Sequence, residues 1–150
     1  MASELVDIMG QSRDDIFRTK FFVKDKVCSV IINGKHLANL VSTNLVGKLR
    51  LPLLNHPKPY VLRSLPDSDE VKVEYQVMVA FTTGRFHDEM MCDVVPMSDC
   101  HILLGGSWKY DKQVWHHVER NMYVYITDEW SVMINLLTPH KAYEDQLIMK

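Results

Sequence analysis

The sequence predicts a mainly β domain carrying two short helices. Its apolar residues fall in short β-branched and aromatic runs, polar or glycine- and proline-containing turns separate those runs, and only two stretches shift to helical spacing. With 150 residues, 47% of them hydrophobic, the chain is in the range of one domain able to bury a core.

Taken in order, Ile16 to Val23 and Val27 to Ile32 flank the polar turn Lys24-Asp25-Lys26, the pattern of a hairpin. Ser42 to Leu49 then places Leu45, Val46 and Leu49 on one helical face, with Ser42 as N-cap and Pro52 just past the end. His56-Pro57-Lys58-Pro59 is a rigid extended stretch. Tyr60 to Leu65 reads as a strand that turns back at Pro66-Asp67-Ser68-Asp69, an exposed hairpin tip. Val71, Val73, Tyr75, Val77, Val79 and Phe81 alternate with polar residues, and Thr82-Thr83-Gly84-Arg85 links that strand to a partner over Phe86 to Val95. After Pro96 come a buried-looking run, Ile102-Leu103-Leu104-Gly105, a helix near Trp108 to Val114, and two last strands, Met122 to Thr127 and Val132 to Leu137. No internal repeat and no low-complexity segment interrupts this order.

Charge and composition exclude several classes of function. A formal charge of -2 and a pI near 6.4 argue against the basic face that phosphate backbones need, so nucleic acid is not expected as a direct partner. Met1 to Asp15 interleaves Glu4, Asp7, Arg13, Asp14 and Asp15 with short apolar stretches and lacks the core of a secretory signal. No run approaches the roughly 18 uninterrupted apolar residues of a membrane span. Cys28, Cys92 and Cys100 are odd in number and widely spaced, which fits reduced thiols. A cytoplasmic or nuclear protein, not a secreted one, is the expectation. Cys92, Cys100, His101, His116 and His117 match no zinc-finger or ribbon spacing, and neither metal nor cofactor is expected.

Several separated words carry a more specific signal. They are Phe17-Arg18-Thr19-Lys20, Val30-Ile31-Ile32, Asn39-Leu40-Val41-Ser42, His56-Pro57-Lys58-Pro59-Tyr60, Cys92-Asp93-Val94-Val95-Pro96-Met97, and Ile102-Leu103-Leu104-Gly105 with Trp108 and Asp111 behind. In this order and spacing, the chain from Asp15 to about Lys150 resembles the protease segment of plant gypsy-type retrotransposon polyproteins. The resemblance implies an all-β, closed-barrel retropepsin-like (acid-protease) fold over residues 16–138, with 1–15 an N-terminal extension and 139–150 a connector tail. It places a short helix near Leu104 to Gln113 and a flap around Leu65 to Glu70. It further implies a homodimer in which each subunit supplies one aspartate to a shared site, acting on peptide or polyprotein segments. There two neighbouring carboxylates hold one proton between them, and the ionised one activates water.

This chain departs from that pattern at the site itself. The family's aspartate opens an Asp-Ser-Gly or Asp-Gly-Gly turn directly after the apolar strand, and here Val30-Ile31-Ile32 is followed by Asn33-Gly34-Lys35. A carboxamide oxygen is too weak a base to deprotonate water. Lys35 takes the place of a glycine, where a backbone conformation awkward for a residue with a Cβ is expected. On the residues alone, Asn33-Gly34 is also a strong signal for a two-residue hairpin turn. The resemblance assigns peptide contacts to the flap residues Leu65, Pro66, Asp67, Ser68 and Asp69, and to a wall near Met97 and His101. Asp93, Asp99 and Asp111 are conceivable substitute acids, but nothing in the sequence brings two of them together. Three functions stay open: a pseudopeptidase acting as a dimerisation or peptide-binding module, an active aspartic endopeptidase, and a non-functional retroelement remnant. Asn33 favours the first over the second.

Overall fold

The computed structural model describes residues 16–64, 69–127 and 130–149. The first unit is the hairpin of β1 (Ile16–Val23) and β2 (Lys26–Asn33), which pair from Ile16↔Asn33 to Val23↔Lys26. Its loop is two residues, Lys24 and Asp25, both in the left-handed region at φ 49° and 65°. Paired left-handed residues match the strand twist across a two-residue turn, which brings Lys26 into the strand instead of the turn. Strand β1 alternates, with Thr19, Phe21 and Val23 buried, whereas β2 buries Cys28, Ser29, Val30 and Ile32 on both faces. That difference marks β2 as an interior strand.

Its inner neighbour is β7 (Ile102–Leu104), which runs parallel to β2 with Val30↔Ile102 and Ile32↔Leu104 in register. Strand β7 also pairs antiparallel with β3 (Leu40–Ser42), and β3 lies parallel to β6 (Phe86–Val95). The long hairpin of β5 (Asp69–Thr83) and β6 turns over Gly84 and Arg85 alone, with Gly84 at φ 59°. Strand β4 (Leu54–Ser64) forms the far edge against β5, its register broken between Asn55 and Tyr60. Pro57 and Pro59 fall in that break, where the hydrogen bonds they cannot donate are not required. The seven strands follow the order β1-β2-β7-β3-β6-β5-β4, and the sheet curls until β1 meets β5 at Phe22↔Thr82.

Helix α1 (Thr43–Leu49) is capped as its sequence predicts: the Ser42 hydroxyl accepts a hydrogen bond from Leu45 N–H at 3.0 Å. Arg50, at φ 53°, ends it in the left-handed region. Helix α2 (Gly106–Lys112) follows β7, and then comes a three-stranded sheet in the order β10-β9-β8, made of β8 (Trp115–His117), β9 (Met122–Ile126) and β10 (Ser131–Asn135). Strand β8 has no counterpart in the sequence reading. The inner face of this sheet contributes Tyr123, Tyr125, Val132 and Ile134 to a core that also holds Trp108 and the stacked rings of Phe21 and Phe81, 4.2 Å apart.

The stretch expected to be a connector carries a third helix, α3 (Pro139–Met149). Its anchor is Asp145, buried at 5% exposure, which accepts hydrogen bonds from Arg18 at 2.9 Å and from the Ser29 hydroxyl at 2.5 Å. The helix's larger apolar residues point outward instead: Tyr143 is 59%, Leu147 48% and Ile148 74% exposed.

Candidate functional site

Strand β2 ends at Asn33, and the next residues fold into a tight turn. His36 N–H donates to the Asn33 carbonyl at 3.2 Å, and Lys35 N–H donates to the Asn33 side-chain oxygen at 3.0 Å. The second bond is an Asx turn, which fixes the carboxamide and occupies its oxygen. Lys35 is not among the residues of positive φ, and neither are Asn33 and Gly34. One expectation is thereby corrected, and an alternative reading of the turn is set aside. Lys35 carries no left-handed strain, because an i→i+3 turn of this kind can be made with ordinary φ values. Asn33-Gly34 is also not the centre of a two-residue hairpin, whose favoured turns put at least the first central residue at positive φ.

The turn is held from behind by the start of α2. Gly106 N–H donates to the His36 carbonyl at 2.6 Å, Ser107 N–H to Leu37 at 3.0 Å, and Gly105 N–H to the Asn39 side chain at 3.0 Å. This approach requires glycine. A Cβ on Gly105 would lie 2.5 Å from the His36 carbonyl oxygen and 2.9 Å from that of Leu37, and one on Gly106 would lie 2.8 Å from that of Gly34. Lys109, one turn along α2, lays its chain over the loop, with Cδ and Nζ each 3.5 Å from where a Gly34 Cβ would be. Its ammonium sits 5.0 Å from the Tyr123 ring centroid, a cation–π distance.

In front of the turn lies a groove of about 740 Å³ running from Lys35 to the β4 strand, with Leu37, Val61, Leu62 and Met91 among its apolar lining. Asp93 and Asp111 both line it. Both oxygens of Asp93 are already engaged. Its Oδ2 accepts from the Tyr60 hydroxyl at 2.6 Å, and its Oδ1 from Gln76 Nε2 and His56 Nε2, each at 3.1 Å. His56 Nδ1 accepts from Lys58 N–H at 2.9 Å, which places a proton on Nε2 and turns it toward the carboxylate. Burial, and then the hydrogen bond to Asp93, hold the Tyr60 phenol well above its ordinary range. Three polar side chains thus tie β4 to β5 and β6 at the register break. The words His56-Pro57-Lys58-Pro59-Tyr60 and Cys92-Asp93-Val94 are two halves of this one network, a link that sequence reasoning missed.

Of the remaining predicted contacts, Met97 and His101 lie away from the turn. Leu65, Pro66, Asp67 and Ser68 lie outside the described residues, and Asp69 opens β5 opposite Ser64 at the same hairpin tip. Met97 packs beside Leu40 and Val95 and lines a separate cleft with Thr43 and Pro96. His101 sits beside Ser29, four residues or about 13 Å down β2 from Asn33. Its Nδ1 accepts from Ser29 N–H at 2.8 Å. Burial, with Lys48 adding to it and Asp145 opposing, holds the imidazole below its ordinary range. Cys28, Cys92 and Cys100 are buried free thiols, pushed up to about 11, 12 and 12, burial being the largest cause in each. Among the described residues no three His, Cys, Asp or Glu side chains are grouped to hold a metal, and no helix is long and apolar enough to cross a membrane.

No known protein family and no curated protein matches the sequence. Solved structures do match the fold. The retroviral protease-like domain of Ddi1 from Leishmania major aligns with a TM-score of 0.59 at 8% identity, covering 82% of this chain and 94% of that one. A retropepsin-like aspartic protease from Rickettsia conorii aligns at 16% identity over 84% of this chain and 87% of that one, with a TM-score of 0.42. With its parallel β2–β7 ladder, the turn that follows it and a sheet that curls from β1 to β5, the chain has the all-β, retropepsin-like fold.

Proposed function

We propose that this chain is a retrotransposon-derived pseudopeptidase, a homodimeric module that holds peptide in the groove before the Asn33 turn and does not cleave it. The observation that carries the reading is the state of Asn33. At the position where the resemblance expects a catalytic aspartate, the chain has a carboxamide whose oxygen already accepts the Lys35 N–H. Such a group neither takes a proton from water nor shares one with a symmetry-related partner. The surroundings favour the same conclusion. The two lysines nearest the turn, Lys35 and Lys109, would oppose the proton-sharing that a carboxylate pair needs, and Asp93, the best-placed alternative acid, spends its lone pairs on Tyr60, Gln76 and His56. Before the turn lies a groove with Leu37, Val61, Leu62 and Met91 on its walls, which fits the side chains of an extended peptide.

The test is a peptide-library cleavage assay at mildly acid pH on the chain and on Asn33→Ala. No pepstatin-sensitive cleavage is expected from either. Cleavage that Asn33→Ala abolishes would overturn the reading. Sedimentation at tens of micromolar is expected to give a dimer, and a monomer would remove the dimeric part of the proposal.

A further inference from the structure

A second cavity, of about 830 Å³, lies at the opposite end of the β1–β2 hairpin from Asn33, where the Lys24-Asp25 loop meets β5 and β6. Strand β2 separates the two places by about 24 Å, and the cavity shares no lining residue with the groove before the turn. We propose that this cavity binds an organic ammonium ion, held between aromatic rings and faced by the Glu89 and Asp25 carboxylates. The proposal does not rest on the peptide-binding reading above.

The strand register builds the site. Phe22 on β1 stands opposite Thr82 on β5, which in turn stands opposite His87 on β6, so the three side chains form one row on the exposed face of the sheet. The middle of that row is small, and so is Ala80, which lies two residues along on the same face and pairs with Glu89. A floor of small residues therefore separates the half-exposed Phe22 ring from that of His87. Trp130 backs the His87 side, its ring centroid 4.8 Å away at 65°. Rings spaced in this way offer their negative faces to a cation. The charge of the lining has the matching sign. Of its three carboxylates, Asp88 is taken up by the Tyr125 hydroxyl at 2.9 Å and by Lys112 at 3.2 Å, while the Lys24 ammonium is turned to the Leu49 carbonyl at 3.1 Å. The Glu89 and Asp25 carboxylates have no partner among the described residues. These acids do not converge as metal ligands, since no three His, Cys, Asp or Glu side chains among the described residues are grouped to hold one. The cation that suits separated carboxylates and aromatic walls is a bulky, weakly hydrated one, an alkylated ammonium.

The test is an NMR titration of the full chain with choline and, separately, with its neutral isostere in which carbon replaces the quaternary nitrogen. Choline is expected to shift the Trp130 indole and the amides of residues 80–89, and to bind at least about tenfold tighter than the isostere, which has the same shape and no charge. Glu89→Gln and Phe22→Leu, both at exposed positions, should each weaken choline by about threefold or more. Glu74→Gln, further along β5 and outside the cavity, should leave binding as it is. A short blocked peptide with one trimethyllysine identifies the source of the ammonium: tighter binding than choline assigns it to a peptide side chain, and equal binding to a free small cation. Equal shifts from choline and the isostere would overturn the recognition of charge. Choline binding that survives both Glu89→Gln and Phe22→Leu would overturn the placement, and no shift from choline or the peptide at up to about 50 mM would overturn the site.

Discussion

Asp145→Ala tests whether one buried carboxylate docks the C-terminal helix. Helix α3 turns Asp145 inward with the small Ala142 and half-buried Met149, while Tyr143, Leu147 and Ile148 face out, so burial of apolar surface contributes little to its docking. What remains is the set of bonds at Asp145: Arg18 at 2.9 Å, the Ser29 hydroxyl at 2.5 Å, and Lys20 at 3.9 Å. Removing one partner of a buried pair costs about 3–5 kcal/mol when the other charge stays buried. Arg18 is 11% exposed and keeps its bond to the Asp99 carbonyl at 3.2 Å, so the lower end of that range applies. The loss is also capped, because once α3 lifts away Arg18 regains water. A fall of up to about 3 kcal/mol, or about 10 °C in Tm, is therefore expected. Hydrogen exchange should report lost protection over residues 142–149 with the β2–β7 core still protected. Replacing the pair by Arg18→Met with Asp145→Leu should recover most of the loss, since an apolar pair of similar volume avoids the desolvation penalty. If α3 amides in Asp145→Ala stay as protected as in the parent, the carboxylate does not dock the helix and the reasoning fails.

Other consequences follow from the turn and its supports. Gly105→Ala drives a Cβ into backbone carbonyls that cannot rotate away and should cost about 1–3 kcal/mol in denaturant titration; Gly47→Ala, with nothing within 4 Å of its Cβ, should stabilise α1 by about 0.5–1 kcal/mol. His101 has a folded-state pKa below its unfolded value of 6.5, so the unfolded chain binds the extra proton and stability should be complete above that value and fall as pH drops below it. His101→Asn, which can still accept the Ser29 N–H, should flatten that part of a stability-against-pH curve. Asn33→Asp places a carboxylate beside Lys35 and Lys109, which lower its pKa and oppose proton sharing; any cleavage it regains should have a more acid optimum than that of Asn33→Asp with Lys35→Gly, and identical pH profiles would show the lysine charge to be irrelevant.

What the sequence made legible, and what it hid, divides along the range of the interactions. The β1–β2 hairpin, α1 with its Ser42 cap, and the β5–β6 hairpin are set by local alternation, capping and turn chemistry, and each lies within about two residues of where the residues place it. The insertion of β7 between β2 and β3 is a pairing between strands some seventy positions apart, and no local period encodes it. Helix α3 was hidden for another reason: the residue facing the body is an acid and the large apolar residues face out, the reverse of the pattern that marks a surface helix. At the site, the departure of Asn33-Gly34-Lys35 from the turn that the resemblance implies was legible because it follows the strand Val30-Ile31-Ile32, but the meaning of Lys35 was not. A missing glycine suggested strain; the observed φ values remove that cost and leave charge as what the substitution changes. The words on which the resemblance rests turn out to be structural ties. Asn39 accepts from Gly105, Ser42 caps α1, His56 and Tyr60 hold Asp93, and Arg18 holds Asp145. On the proposed reading, the ties that build the groove are kept while the group that would perform hydrolysis is not, and that separation is why a folded groove without cleavage is expected.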